Sequence, residues 1–344
     1  MNILLKKVKN RRRNEIIRIV LTAFFLGLLV VALCVGGAWW YRSFKKRGEE
    51  MHKKTVKETA KYVEENVSAS PAEEDENYNY LSGFKNDFLN EFSEKYSDVK
   101  FSFYVKDLNS GVAVGYNSEK MNSASVIKLF IMETVYKQVA AGNIELTEED
   151  EEKLRLMITE SDNESSNYFI DKFGGVDETR KVTEDNLITQ TIRESGYTNT
   201  ELNRKMYDTT PPEGPTGYEN YTSCEDVAKL LEGIYDGTCF EGEYNQLALE
   251  LLKNQKRTNK IPAKINSEYP DVTVANKTGE LYSVENDAAL ILGEDYGLIF
   301  VVLVNDIPLN DDGSVDFEKK ESICNTISDY ALRLTKEYES NKTK

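Results

Sequence analysis

The sequence predicts an α/β protein of the α+β kind: a five-stranded antiparallel sheet flanked by terminal helices, with an all-helical lobe inserted in its middle. Three observations predict it. Alternating strand patterns fall in two groups, one early and one late in the globular part. A long stretch of helical periodicity separates them. Amphipathic helix patterns stand before the first strand and after the last.

The elements follow in order. Phe84, Phe88, Leu89 and Phe92 recur at helical spacing, so a first helix runs to about Tyr96. Val99 to Val105 alternates as a strand, Asn109-Ser110-Gly111 is a hairpin turn, and Val112 to Tyr116 is the return strand. Helical patterns fill the region from about Ser125 to Leu252. Strands return at Val272–Ala275, Ala288–Leu292 and Leu298–Val304, and Ile323, Ile327, Tyr330, Ala331 and Leu334 mark a last helix. A cleft between lobe and sheet is the natural place for a site.

Composition excludes several kinds of chemistry. The 344 residues carry a formal net charge of −16, which argues against nucleic acid as a partner. The single histidine, His52, lies ahead of the globular part, so neither a serine–histidine pair nor a histidine metal site is available there. Nucleophilic chemistry must then use lysine or a carboxylate as base. The four cysteines show no C-x-x-C spacing. Buried free thiols are the plain expectation, with a Cys224–Cys239 bridge as the alternative in an oxidising compartment.

The N-terminal region divides by hydropathy and charge. Residues 1–15 read as a short basic cytoplasmic tail and 16–41 as a transmembrane helix ending in Trp39, Trp40 and Tyr41. The run is too long for a cleaved signal peptide, and Leu33 before Cys34 is a poor lipoprotein site. Basic residues flank both ends of the run, so charge alone leaves its orientation open. Residues 42–76 read as a polar stalk, closing on an acidic run after Pro71.

Three short motifs occur in the globular part, residues 77–340. Ser125-Val126-Ile127-Lys128 sits at a helix start, Ser161-Asp162-Asn163 at a helix boundary, and Lys277-Thr278-Gly279 at a strand end. Ser125 and Lys128, three apart on a helix, share a face, so the lysine can reach the hydroxyl. A desolvated lysine near a second cation has a lowered pKa and can act as base. Taken singly, each motif also reads as a helix cap or a strand end.

Together and in this order the motifs resemble those of the class A β-lactamases and penicillin-binding proteins. The resemblance covers about residues 78–338 and includes the flanks Ser123-Ala124 and Met157-Ile158-Thr159-Glu160. It implies a β-lactamase/transpeptidase-like fold and an active-site-serine hydrolase acylated by β-lactams or D-alanyl-D-alanine peptides. Ser125, Lys128, Ser161 and Lys277 are then catalytic: nucleophile, base, proton relay and cation. Asn163, Thr278, Gly279 and Glu280 are then substrate-binding, with the backbone N–H groups of Ser125 and Glu280 as the oxyanion hole. Asp162 is structural. No cofactor, metal or nucleic acid is implied; the partners are a β-lactam or cell-wall peptide and, through the N-terminal helix, a membrane. Cell-wall chemistry places the catalytic domain on the outer side of the cell membrane.

The sequence also departs from the family. The stretch Glu201-Leu202-Asn203-Arg204-Lys205-Met206 puts Met206 where class A β-lactamases hold the glutamate that activates the deacylating water. Asp208 and Glu213 lack the family spacing, and Arg204 faces Asn220 in place of the family's Arg–Asp clamp. The connection from Lys128 to Ser161 is shorter than is typical, which predicts a reduced cleft wall. Asn286 and Asp287 stand where many β-lactamases carry an arginine for the substrate carboxylate. Deacylation is the step put in doubt. The alternative is a non-catalytic domain that binds or senses cell-wall peptide or a β-lactam.

Overall fold

Phe84, Phe88 and Phe92 recur every four residues, which lines them along one face of a helix. In the computed structural model, which describes residues 76–177, 181–206 and 219–341, they do so on α1 (Glu76–Lys95). These residues fall in one compact unit, Asp75–Lys344; a second unit, Met1–Glu74, lies outside the described residues. The predicted tail, transmembrane helix and most of the stalk lie there too. Among the described residues no helix is long and apolar enough to cross a membrane.

Strands β1 (Lys100–Asp107) and β2 (Ala113–Tyr116) form the predicted hairpin. A two-residue strand β3 (Met121–Asn122) precedes a 3₁₀ turn over Ala124–Ile127. The lobe follows: α2 (Lys128–Ala140), α3 (Glu148–Arg155), a π-turn over Leu156–Glu160, α4 (Asn163–Lys172), α5 (Leu187–Glu194), strand β4 (Tyr221–Thr222), α6 (Cys224–Asp236) and α7 (Tyr244–Lys253). Then come α8 (Ile261–Glu268), β5 (Thr273–Leu281), β6 (Val284–Leu292), β7 (Gly297–Asn305) and α9 (Phe317–Asn341). The sheet is antiparallel, in the order β2-β1-β7-β6-β5.

The sheet divides two apolar cores. β7 is buried at all nine positions, with Ile299, Val301 and Leu303 facing the lobe and Phe300, Val302 and Val304 facing the terminal helices. Burial on both faces explains its unbroken apolar run. On the terminal-helix side, Phe88 meets Phe103 at 4.6 Å and Tyr330 of α9 edge-on at 4.7 Å between ring centroids. Truncation of Phe88 to alanine is expected to cost about 3–5 kcal/mol of stability, read by denaturant unfolding.

The structure corrects several predicted boundaries. Lys277-Thr278-Gly279 lies inside β5, which continues to Leu281, rather than at its end. β6 begins at Val284, four residues before the apolar run, because Glu285, Asn286 and Asp287 are all buried within it. The β3–β4 pair and α8 have no strong period in the sequence. Cys224, Cys239 and Cys324 are free thiols, so no Cys224–Cys239 bridge forms.

Candidate active site

The nucleophile candidate Ser125 lies in the 3₁₀ turn ahead of α2, and Ala124 before it adopts a left-handed φ of 45°. That conformation costs a non-glycine residue free energy, so neighbours must hold the turn. Four asparagines do so. Ser123 N donates to the Asn220 carbonyl at 2.8 Å, and Ala124 N to Asn122 Oδ1 at 3.0 Å. Asn286 Nδ2 donates to the carbonyls of Asn122 (2.9 Å) and Ser123 (3.1 Å), and Asn122 N donates to Asn305 Oδ1 at 2.6 Å. Asn286 is fully buried as a clamp on this turn.

Gly279 explains how closely β5 approaches. A Cβ there would stand 2.7 Å from the Ser123 carbonyl oxygen and 3.2 Å from Val126 N. Only glycine lets the edge strand lie against the backbone of the turn bearing Ser125.

Lys128 is fully buried at the first position of α2. Its Nζ donates to the Ser161 carbonyl (2.6 Å), to Ser161 Oγ (3.3 Å) and to Asn163 Oδ1 (2.8 Å). Lys277, also fully buried, donates to Ser161 Oγ at 2.9 Å and to the Thr278 carbonyl at 2.8 Å. The two lysines therefore meet at one hydroxyl, that of Ser161. Among the described residues no hydrogen bond joins Lys128 to the Ser125 hydroxyl, although the sequence places them on one face.

Ser161 reaches this position through irregular backbone. The π-turn ends at Ser161, whose φ of 62° is left-handed, and Asp162 N then donates to the Leu156 carbonyl at 3.1 Å. This aims both the Ser161 carbonyl and its hydroxyl at Lys128. Asp162 caps α4, its carboxylate accepting from Ser165 N at 2.7 Å, which fits the structural role expected of it.

The electrostatics follow from burial. Desolvation, and then the neighbouring Lys277, push the Lys128 ammonium well below the ordinary lysine range. Desolvation, with Arg257 second, brings Lys277 down to about 7. A lysine neutral at physiological pH can accept a proton.

The structure adds residues that the motifs did not single out. Gln255 Nε2 donates to the Ile158 carbonyl at 2.8 Å, and Lys256 N to the Thr159 carbonyl at 2.8 Å, pinning the π-turn. Arg257 brings a guanidinium to the Lys277 side of the cleft and pairs with Glu280 at 2.7 Å. The only hint of these residues in the sequence is a basic run, Lys253 to Lys260, ahead of β5.

The loop expected to carry the deacylation base begins beside the site. Met206 is buried, and Asn167 holds its backbone: Met206 N donates to Asn167 Oδ1 (2.7 Å), and Asn167 Nδ2 donates to the Met206 carbonyl (3.0 Å). Arg204 pairs with Glu219, not Asn220. Asn220 instead accepts from Asn203 N (2.8 Å) and Arg204 N (3.0 Å) and donates to the Arg204 carbonyl (3.1 Å). A charged clamp is thus kept, shifted by one residue. Asp208 and Glu213 lie outside the described residues.

Ser125, Asn163, Met206 and Glu280 line a narrow pocket of about 60 Å³. Larger hollows of about 620 and 590 Å³ lie elsewhere on the lobe and contain none of the three motifs. Chemistry rather than volume marks the site. Among the described residues no group of three or more His, Cys, Asp or Glu side chains is placed to hold a metal.

Comparison with known proteins decides the family. The family model described as "Beta-lactamase enzyme family" matches residues 85–151 and 150–334. The chain belongs to the beta-lactamase enzyme family. The fold agrees with that membership at low identity. A β-lactamase from Sphaerobacter thermophilus is 22% identical, with a TM-score of 0.59 over 72% of this chain and 96% of that one. PBP-A is 20% identical, with a TM-score of 0.61 over 76% and 97%. An ancestral class A β-lactamase of Gram-negative bacteria is 20% identical, with a TM-score of 0.56 over 73% and 98%. No curated protein matches the chain. This member of the beta-lactamase family thus shares its fold with both β-lactamases and a penicillin-binding protein.

Proposed function

We propose that this protein is a membrane-anchored serine hydrolase acylated at Ser125 by β-lactams or D-alanyl-D-alanine peptides, with slow hydrolysis of the acyl-enzyme. The observation that carries the proposal is the meeting of two buried lysines of lowered pKa at the Ser161 hydroxyl, one of them, Lys128, three residues after Ser125. Ser125 Oγ attacks the acyl carbon, and its proton passes to neutral Lys128. The C–O bond forms and the C–N bond breaks. The leaving nitrogen takes a proton through Ser161, and neutral Lys128 is restored. The Ser125 and Glu280 N–H groups stabilise the oxyanion, and Asn163 and Thr278 hold the substrate amide and carboxylate.

Release of the acyl group needs a base for water. A thioether cannot serve, so Met206 in the pocket supports a long-lived acyl-enzyme. A PBP-A mutant has been solved as an acyl-enzyme complex with penicillin G, so this fold can hold such an adduct. The apolar run 16–41 supports a membrane anchor, and a cell-wall substrate would require the catalytic domain outside the cytoplasm.

Peptide mapping after exposure to penicillin tests the assignment of the nucleophile. The adduct is expected on the peptide containing Ser125 and absent from Ser125→Ala. An adduct of equal yield in that variant would remove Ser125 from the role.

A further inference from the structure

Asn286 stands on β6 directly across from Gly279 of β5, so the two positions face the same side of the sheet. Gly279 has no side chain to occupy that side, and the Ser123 carbonyl lies close over it. Asn286 meets this carbonyl from the neighbouring strand. Its Nδ2 donates to the carbonyls of Asn122 at 2.9 Å and Ser123 at 3.1 Å. Its Oδ1 accepts from Val304 N on β7 at 3.0 Å and from Asn305 Nδ2 at 3.4 Å. These partners fix the direction of the amide: two carbonyls require its NH2 group, and a backbone N–H requires its oxygen. One fully buried side chain thus ties β6 and β7 to the turn, with every hydrogen-bonding position filled.

The turn needs such a tie. Ala124 holds a left-handed φ of 45°, which disfavours an L-residue by about tenfold in population. The two carbonyls that Asn286 holds belong to the residues just before Ala124, and Ser125 comes just after it. A turn released from Asn286 relaxes Ala124 toward negative φ and swings the Ser125 hydroxyl and N–H together. Asn286 stands behind the Ser125 pocket, whose wall on this side is formed by Asn122 and Ala124, so it acts through the turn alone.

We propose that Asn286 is a positioning residue: by holding the Asn122 and Ser123 carbonyls it keeps Ala124 left-handed and so aims the Ser125 hydroxyl at the acyl carbon and the Ser125 N–H at the oxyanion. The inference rests on the reading of Ser125 as the acylated nucleophile.

Acylation of the full chain by penicillin, read by intact mass over a range of drug concentrations, is compared in wild type, Asn286→Ala, Asn286→Asp and each of these combined with Ala124→Gly. Asn286→Ala removes both bonds to the turn. Asn286→Asp keeps the size and loses at least one, since an ionised carboxyl donates to neither carbonyl and a protonated one donates once. It carries the test if thermal unfolding shows that Asn286→Ala does not fold. The rate at saturating drug is expected to fall about tenfold in Asn286→Ala and less in Asn286→Asp, with the half-saturating concentration little changed. Glycine takes a positive φ freely, so adding Ala124→Gly is expected to return about threefold or more of the lost rate. A contribution to stability alone would not show this recovery. A wild-type rate in a folded Asn286 variant, a loss confined to the half-saturating concentration, or a loss that Ala124→Gly leaves in place overturns this inference and spares the Ser125 reading. Absence of any adduct on wild type overturns the Ser125 reading and this inference with it.

Discussion

Replacing Lys128 with alanine is expected to slow acylation of Ser125 by ~10²–10⁴-fold, the usual worth of a positioned general base. Lys128 is buried and held toward the neutral amine by desolvation and by Lys277. As pH falls through its lowered pKa the amine takes a proton and the base is lost, so acylation by wild type declines on the acid side. As pH rises through about 7, Lys277 loses its proton, and with it the cation beside Ser161. A bell-shaped profile is therefore expected, its two limbs belonging to the coupled lysines rather than to either alone. In Lys128→Ala the acid limb should disappear along with most of the rate. Labelling at the wild-type rate would show that another group takes the Ser125 proton.

The second large effect is expected on the other half-reaction. Met206→Glu should shorten the acyl-enzyme lifetime by ten-fold or more, within the ~10²–10⁴-fold range of general-base help. The Met206 backbone is anchored on both sides by Asn167, so a carboxylate there starts from a fixed position in the pocket of Ser125. Burial of that carboxyl raises its pKa, which suits a base working near neutral pH. An unchanged lifetime, measured by loss of the mass adduct after drug removal, would mean that the side chain does not reach the acyl carbon.

What was legible in the sequence was whatever is written in contiguous residues. The three motifs, the spacing of Phe84, Phe88 and Phe92, and the doubly buried β7 all fall in this class. The π-turn was not legible, because Leu156 to Glu160 reads as ordinary helix; the hydrogen bonds that hold it, from Gln255 to the Ile158 carbonyl and from Lys256 N to the Thr159 carbonyl, come from about a hundred residues away. The start of β6 was hidden because Glu285, Asn286 and Asp287 look like loop residues until their partners are known. Asn286 is satisfied by the turn at Asn122 and Ser123, and Asp287 by Asn276 and the Ile261 N–H. The partner of Arg204 was misplaced by one residue, since Glu219 and Asn220 differ in role only through the direction of each side chain. Arg257 reaches the site from a connection more than a hundred residues after Ser125, so no local pattern ties it to the motifs.

The most direct test of acylation followed by stalling is a time course of intact mass for the full chain mixed with penicillin, continued after free drug is removed, with Ser125→Ala alongside. A single adduct is expected on wild type alone, formed quickly and persisting once the drug is gone. A fleeting adduct with steady consumption of drug would contradict the stalled acyl-enzyme, and no adduct at any time would contradict acylation by penicillin itself and favour a domain that binds without reacting.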